Sequence, residues 1–299
     1  MIRIDEERCN RCGICIPICV RRILTLGEKS AEVTDPMMCI ACGHCKAVCP
    51  TNAPIFPTGN EEFEPVPSRE EIPPPASFLR FLRRRRSLRR YSPRPVERAK
   101  IEQILQAGRY APTGGNRQAC EFTVVTGRPL LDEICSMAIS GLMVRGRRIQ
   151  EALDRCQERK EPIPPEYASQ KLYPAVWNRI HRAWEEKRQD QLLHHAPALI
   201  LIHVRPGAAA TPDLDVGIVS AQMILMAETL GLGSCYIQFL VWATEESEAL
   251  RDFLQIPKGN RIHATFTLGY PDVEYLRLVA RKPLRVVWME GESGKGTQR

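Results

Sequence analysis

"FLRRRRSLRRY", residues 81–91, decides how the larger part of this chain is read. With Arg80 the stretch packs seven arginines into eleven positions, and the net charge of the chain is +7, so the remainder is formally neutral. A nucleic-acid binder usually spreads its basic residues over a face or along several elements. Here the excess sits in one place, with no aromatic stacking motif and no second basic element beside it. A socket for one particular phosphate is another reading, since guanidinium forks match phosphate oxygens. Phe78, Leu79, Phe81, Leu82 and Leu88 fall at near-helical spacing, which predicts a helix through the run, stopped by Pro93 and Pro95.

Downstream, "VERAKIEQILQAGRYAP" (96–112) places Val96, Ile101, Ile104, Leu105 and Ala107 on one helical face. A loop, "PTGGNRQ" (112–118), and a strand, "CEFTVVTG" (120–127), follow. "HAPALILIHV" (195–204) is a continuous apolar strand of the kind covered on both faces. "TPDLDVGIVSAQMILMAETLGLG" (211–233) predicts a long apolar helix ended by glycine, and "SCYIQFL" (234–240) and "RIHATFTLGYPD" (261–272) predict two more strands. "GLGSCY" (231–236) follows a helix and lacks a third glycine, so it is no dinucleotide fingerprint.

The order Arg-Arg-Ser-x-Arg, amphipathic helix, Ala-Pro-Thr-Gly-Gly-Asn-x-Gln, strand resembles the opening of the nitroreductase family of flavoproteins, over about residues 78–288. The resemblance implies an α+β fold: a mixed, mostly antiparallel sheet with flanking helices, in an intertwined homodimer with two interfacial FMN sites that draw residues from both chains. Arg85, Ser87 and Arg89, with Arg86 beside them, match the family's phosphate-binding positions. Pro112, Thr113, Gly114, Asn116 and Gln118 match the loop at the isoalloxazine edge, where adjacent glycines let the backbone come close. Tyr236, Ile237 and Gln238 match the segment that passes the reactive edge, and Arg281 and Lys282 match a second cationic contact. Ala119 and Cys120 stand where the family usually has Pro-Trp, which leaves the shape of the pocket wall open. The helix at 211–229 is implied to lie in the dimer interface. Residues 141–190 form an insertion where the family carries helices over the pocket. Its Tyr173 and Trp177, one turn apart, fit either a lid wall or a surface helix packed on the body.

Eight of twelve cysteines fall in the first 49 residues, in two C-x2-C-x2-C-x3-C runs: Cys9, Cys12, Cys15, Cys19 and Cys39, Cys42, Cys45, Cys49. Four thiolates serve a 4Fe–4S cube, with three from one run and the fourth from the other. On that logic Cys9, Cys12, Cys15 and Cys49 hold one cluster, and Cys39, Cys42, Cys45 and Cys19 the second. Structural zinc uses C-x2-C pairs as well, but usually two pairs set apart by a longer loop. The runs resemble the two-cluster bacterial ferredoxins over about the first 50 residues. Val20, where that family usually has proline, bears on turn geometry only. Cys120, Cys135, Cys156 and Cys235 have no metal spacing and read as buried apolar residues, and the histidines outside the runs show no metal or triad pattern.

At 299 residues the chain has room for two domains. Eight prolines in residues 50–77 predict an extended joint, which divides the chain into 1–50, a linker at 51–77, and 78–299. No apolar run approaches the ~18 residues of a membrane span. The opening "MIRIDEERCN" has acidic residues where a signal peptide needs an apolar stretch, so the expectation is a cytoplasmic protein whose cysteines are metal ligands, nucleophiles or buried apolar residues instead of disulfides. The whole reads as an FMN-dependent iron–sulfur oxidoreductase that takes electrons from a ferredoxin-like or other iron–sulfur donor. Two 4Fe–4S clusters would pass them to FMN, which would reduce a nitro compound, quinone or enone. Reductive dehalogenation or flavin fragmentation on the same fold, and a non-enzymatic electron-transfer or sensing role, are the alternatives.

Overall fold

The computed structural model describes residues 2–56 and 63–289, so residues 57–62 of the expected linker lie outside the described residues. The first unit consists of β1 (Arg3–Ile4), α1 (Cys15–Ile18), β2 (Leu24–Leu26), β3 (Ala31–Val33), α2 (His44–Ala47) and β4 (Pro54–Ile55). β2 and β3 form a hairpin, and β1 pairs antiparallel with β4, which ties the two ends of the unit together. That pairing carries the unit past residue 50, to Ile55. Its buried core is small: Ile2, Ile23, Leu24 and Cys45 form one cluster, with Ala31 and Ala53 also buried. So small a core cannot hold a domain of this size by itself, and bound metal is the usual supplement.

The second unit runs α3 (Pro75–Arg84), α4 (Arg98–Arg109), β5 (Cys120–Thr126), α5 (Arg128–Arg159), α6 (Pro165–Ala168) and α7 (Tyr173–Lys187). It continues with β6 (Ala198–Val204), α8 (Pro212–Thr229), β7 (Gly233–Tyr236), α9 (Gln238–Glu246), α10 (Glu248–Phe253) and β8 (Arg261–Gly269). The sheet order is β5-β6-β8-β7 and every strand pair is antiparallel. Ser87 adds a parallel bridge to Ser234 of β7, which makes the sheet mixed.

All seven residues of β6 are buried, as its unbroken apolar run predicts. The pleat deals them to two layers. Leu199 and Leu201 join a core with α5, α7, α9 and α10, while Ala198, Ile200, Ile202 and Val204 join one with α4 and α8. Glycines set how closely the helices approach. A Cβ on Gly141 of α5 would sit 2.9 Å from the Ala243 carbonyl of α9, and one on Gly108 of α4 would sit 2.8 Å from Met223 of α8.

Two expected elements differ. The arginine run is not one helix: α3 stops at Arg84, and residues 85–91 are extended. Consecutive like charges disfavour further turns, whereas the extended form pairs the Leu88 N–H with the Ser234 carbonyl at 2.9 Å and buries Leu88. The strand expected over 234–240 ends at Tyr236, and α9 begins at Gln238.

Trp177 of α7 is 1% exposed and meets Phe239 edge-on, with ring centroids 5.6 Å apart. Of the two readings for this residue the packed one holds. Trp177→Ala should cost about 3–5 kcal/mol in urea unfolding. Trp177→Phe should cost much less, because the indole N–H has no hydrogen-bond partner to lose. Leu172→Ala, at a 69% exposed position, should stay within about 0.5 kcal/mol of the parent.

Candidate functional site

The two cysteine runs are offset by thirty residues, and the backbone repeats with them. Arg11 and Ala41, Gly13 and Gly43, and Arg22 and Asn52 all take positive φ. These left-handed positions curl each loop so that its thiols face inward. Cys9, Cys12, Cys15 and Cys49 line one cavity, and Cys19, Cys39, Cys42 and Cys45 line another. Each cavity thus takes three thiols from one run and the last from the other.

The donor set suits an electron-rich sulfur cluster. Cys9 Sγ accepts the Ala31 N–H at 3.4 Å, Cys39 Sγ the Ala41 N–H at 3.4 Å, and Cys49 Sγ the Ala53 N–H at 3.3 Å. Burial and then the neighbouring Cys42 charge push the Cys45 thiol up to about 11. Burial likewise raises Cys15, with Cys12, Cys49 and Cys9 adding to it. Burial works to raise Cys49 too, but hydrogen bonds from Thr51, Ala53 and Asn52 outweigh it and hold this thiol below its ordinary range. Thiols crowded in this way repel one another once ionised, and bound iron removes that repulsion. Among the described residues no three His, Cys, Asp or Glu side chains are grouped for a single metal ion. The thiols surround a hollow, as a cube requires and a lone zinc does not.

In the second unit, the extended segment 85–91 lies against β7. Leu88 faces inward onto Gly233, where a Cβ would come within 2.5 Å of the leucine side chain. With the pleat fixed there, Arg85, Ser87 and Arg89 share the side of Cys235. Burial raises that thiol, while the charges of Arg89 and Arg85 and hydrogen bonds from Ser87 and Arg89 act to lower it. Arg86 falls on the other side: its guanidinium donates to the Arg277 carbonyl and lies over the Tyr275 ring. The structure therefore does not bring Arg86 to the group it was expected to join. Arg84 pairs with Glu228 at 3.7 Å and Arg90 with Asp272 at 3.2 Å, which breaks the run into separate contacts instead of one basic face.

A cavity of about 690 Å3 opens beside this segment. Arg89 and Tyr91 line it, as do Tyr236, Ile237 and Gln238 at the end of β7, Val176, Arg179 and Ile180 of α7, and the loop 189–195. α7 thus does wall the pocket, through residues adjacent to Trp177. Arg281 and Lys282 lie beyond β8 in an exposed segment without regular structure and do not line the cavity.

The loop at 112–118 sits elsewhere. It leads into β5, one edge of the sheet, while Tyr236 ends β7, the other edge, and three inter-strand spacings amount to about 14 Å. Thr113 and Gln118 line a separate cavity of about 250 Å3 with Leu105, Gly108 and Val219. The loop is anchored on α8: the Gly114 N–H donates to Asp215 Oδ1 at 2.9 Å, and Thr211 Oγ1 donates to the same atom at 3.3 Å. Gln118 N–H donates to Thr113 Oγ1 at 3.0 Å. The Asn116 amide is engaged at both ends. Its nitrogen donates to the carbonyls of Ile40 and Ala41, each at 3.0 Å, and its oxygen accepts from Gln118 Nε2 at 3.2 Å.

Sequence reasoning passed over the loop 189–195. Asp190, buried, accepts N–H bonds from Leu192, Leu193 and His195, and a thiol bond from Cys135. Its own N–H donates to His195 Nε2 at 3.1 Å. This knot holds His194 and His195 at φ of 60° and 54° on the cavity wall. Burial lowers the pKa of His194, against the pull of Asp190 and with the nearby Arg89 adding to it, which keeps the ring neutral at pH 7. Two adjacent histidines carried no spacing that could have revealed this. Their backbone conformation comes from Asp190.

Residues 82–270, more than half of the chain, match the nitroreductase family, and residues 8–53 match a 4Fe-4S dicluster domain. A protein of Archaeoglobus fulgidus named for NADH dehydrogenase/NAD(P)H nitroreductase activity is 26% identical over 201 residues, which cover 66% of this chain and 86% of that protein. Among solved structures, a nitroreductase with bound FMN from Bacteroides fragilis superposes with a TM-score of 0.50 at 22% identity, covering 71% of this chain and 98% of its own. One from Desulfitobacterium hafniense, also with bound FMN, gives 0.51 at 20% identity, covering 71% and 97%. These likenesses show the fold. No described helix is long and apolar enough to cross a membrane.

Asp215 is 2% exposed, and its Oδ2 has no partner. Removing the acceptor that holds Gly114 should loosen the turn. Asp215→Ala is expected to cost about 1–3 kcal/mol and to speed amide exchange at 113–116, whereas Asp215→Asn, which keeps Oδ1, should do less of both. Unchanged exchange in the alanine variant would remove Asp215 as the anchor.

Proposed function

Because the chain belongs to the nitroreductase family and carries a 4Fe-4S dicluster domain, we propose that it passes electrons from an external one-electron protein donor through two 4Fe–4S clusters to FMN, for reduction of a small electron-poor molecule. It is a nitroreductase-like oxidoreductase with an iron–sulfur domain. The observation that carries the FMN reading is Arg89 on the wall of a cavity of ordinary small-molecule size, with Arg85 and Ser87 beside Cys235 of the same wall. In this reading those three residues hold the phosphate, and Tyr236, Ile237 and Gln238 border the ring system. Arg86 serves the packing of the segment after β8. Cys9, Cys12, Cys15 and Cys49 hold one cube, and Cys19, Cys39, Cys42 and Cys45 the other.

When bound, FMN takes electrons singly and releases them as a hydride, which suits clusters that carry one electron each. The chain's own residues bind, orient and shield. The guanidiniums and hydroxyl fix the phosphate end, and α7 with loop 189–195 walls off water. His194 stays neutral there, so it can donate or accept one hydrogen bond without placing a charge in the cavity. The open volume favours an enzyme over a closed electron-transfer module. Nitro compounds, quinones and enones are the substrate class, and a reduced ferredoxin or similar protein the donor.

The reading also supports a homodimer. A second copy would let one flavin touch both the β7 segment and the 112–118 loop, which one chain holds on opposite sheet edges. α3 exposes Phe78, Leu79 and Leu82, and the segment after β8 exposes Leu276, Leu284, Val287 and Trp288. α8, apolar around its circumference, leaves Leu214 exposed. Such surfaces suit a second copy.

Anaerobically purified protein should carry iron for two cubes and one FMN per chain, and reduced ferredoxin should drive turnover of a nitroaromatic, quinone or enone. Arg85→Ala, Ser87→Ala and Arg89→Ala should each weaken FMN binding about ten- to more than a hundredfold. Arg83→Ala and Arg86→Ala should leave the affinity near that of the parent. Equal FMN retention across all five variants in equilibrium dialysis would sink the phosphate assignment.

A further inference from the structure

Among the described residues, one side chain joins the two units by hydrogen bonds. Asn116 stands in the turn that precedes β5, and its amide nitrogen bridges the carbonyls of Ile40 and Ala41. Those two residues lie between Cys39 and Cys42, and Ile40 lines the cavity of Cys19, Cys39, Cys42 and Cys45. Both carbonyls are presented to one donor because Ala41 takes φ of 50°, and Asn116 reaches them because its own φ is 55°, next to Gly115 at 61°. The matching residues of the other run, Asn10 and Arg11, make no such contact. The Asn10 side chain instead caps the Cys12 N–H at 3.3 Å, and Arg11 is exposed. The two cysteine cavities are therefore inequivalent with respect to the larger unit, although their sequences repeat.

We propose that electrons leave the iron–sulfur unit from the cluster of Cys19, Cys39, Cys42 and Cys45, across the Asn116 contact, to the flavin lying against the 113–118 turn. The cluster of Cys9, Cys12, Cys15 and Cys49 is then the one that meets the donor. The inference rests on the electron route proposed above and adds its order and its crossing point. Tunnelling falls steeply with distance, and the contact joins a ligand-bearing loop to a flavin-bordering turn through hydrogen bonds alone. In each transfer one electron leaves a reduced cube, which returns to its oxidised level, and the flavin gains that electron. Two transfers and a proton from water complete its two-electron reduction. The electrons originate in the reduced iron–sulfur donor protein.

The test uses the full chain with its cofactors, mixed anaerobically with reduced ferredoxin. Flavin bleaching is followed by absorbance, and the clusters by freeze-quench electron paramagnetic resonance. In Cys42→Ala the remaining cluster should become reduced while flavin bleaching slows more than about tenfold. In Cys12→Ala the remaining cluster and the flavin should both lag. The reverse pattern, with Cys42→Ala bleaching normally and Cys12→Ala stalled after its remaining cluster is reduced, overturns the order while leaving the electron route standing. Normal bleaching in both variants removes the route itself, and the inference with it.

If a cysteine variant loses iron from both cavities, Asn116→Leu replaces it, since every ligand is then intact. Amide exchange at 39–43 should rise about tenfold as the two bonds are lost. The ratio of flavin bleaching rates with ferredoxin and with dithionite should fall by about the same factor, and Asn116→Gln should recover part of both. Unchanged exchange overturns the contact. Raised exchange with an unchanged ratio overturns its role as the crossing point.

Discussion

The larger unit depends on one backbone hydrogen bond and the leucine beside it. The Leu88 N–H binds the Ser234 carbonyl, and the Leu88 side chain fills the space that Gly233 leaves empty. Pairing fixes the pleat, and the pleat sorts arginines after α3 that composition cannot tell apart. Arg85 and Arg89 fall with Ser87 on the side of Cys235, while Arg86 turns away to Arg277 and Tyr275. A slip of one residue would reverse the assignment. It would also put a guanidinium against Gly233 and leave Leu88 in water, which is why the register is held so firmly.

The smaller unit obeys a different constraint. Its apolar core is a handful of residues, and its loops pass through repeated left-handed positions that bend each cysteine run around a hollow. Glycine takes that conformation freely, but Arg11, Ala41, Arg22 and Asn52 do so at a cost. Hydrogen bonds to sulfur and the β1–β4 pairing offset part of it. The remainder, together with the crowding of thiols, would be relieved by bound iron, so that folding and metal binding become one event.

Much of this was legible in the residues. β6 announced its two-sided burial through an unbroken apolar run, and the cysteine spacing led to both four-thiol cavities, crossed as the last cysteine of each run required. What was missed follows from long-range pairing. Leu88 continued a helical pattern by spacing, yet it belongs to an extended segment because β7, some 145 positions away, offers it a partner and a pocket. His194 and His195 had no pattern at all, since a buried carboxylate at Asp190 decides their geometry. Asn116 was legible as part of a flavin-type loop. That its amide is spent on Ile40 and Ala41 depends on two units meeting, which no local spacing encodes.

The placement of that meeting resolves a conflict built into the fusion. On the proposed electron route, an iron–sulfur unit would have to come close to the flavin to deliver electrons, while a substrate would have to reach the same flavin. The sheet separates these needs, because the loop before β5 and the end of β7 lie at opposite edges. Contact at Asn116 brings the ligand loop of one cluster to the β5 side. The cavity walled by Arg89, Gln238 and α7 opens beside β7, and among the described residues none of the first unit lines it. Had the unit docked on the arginine segment, it would have covered Arg89 and the cavity mouth together. Arg84, Arg86 and Arg90 meet Glu228, Arg277 and Asp272 within their own unit, and the first unit is held on the β5 side by the hydrogen bonds of Asn116.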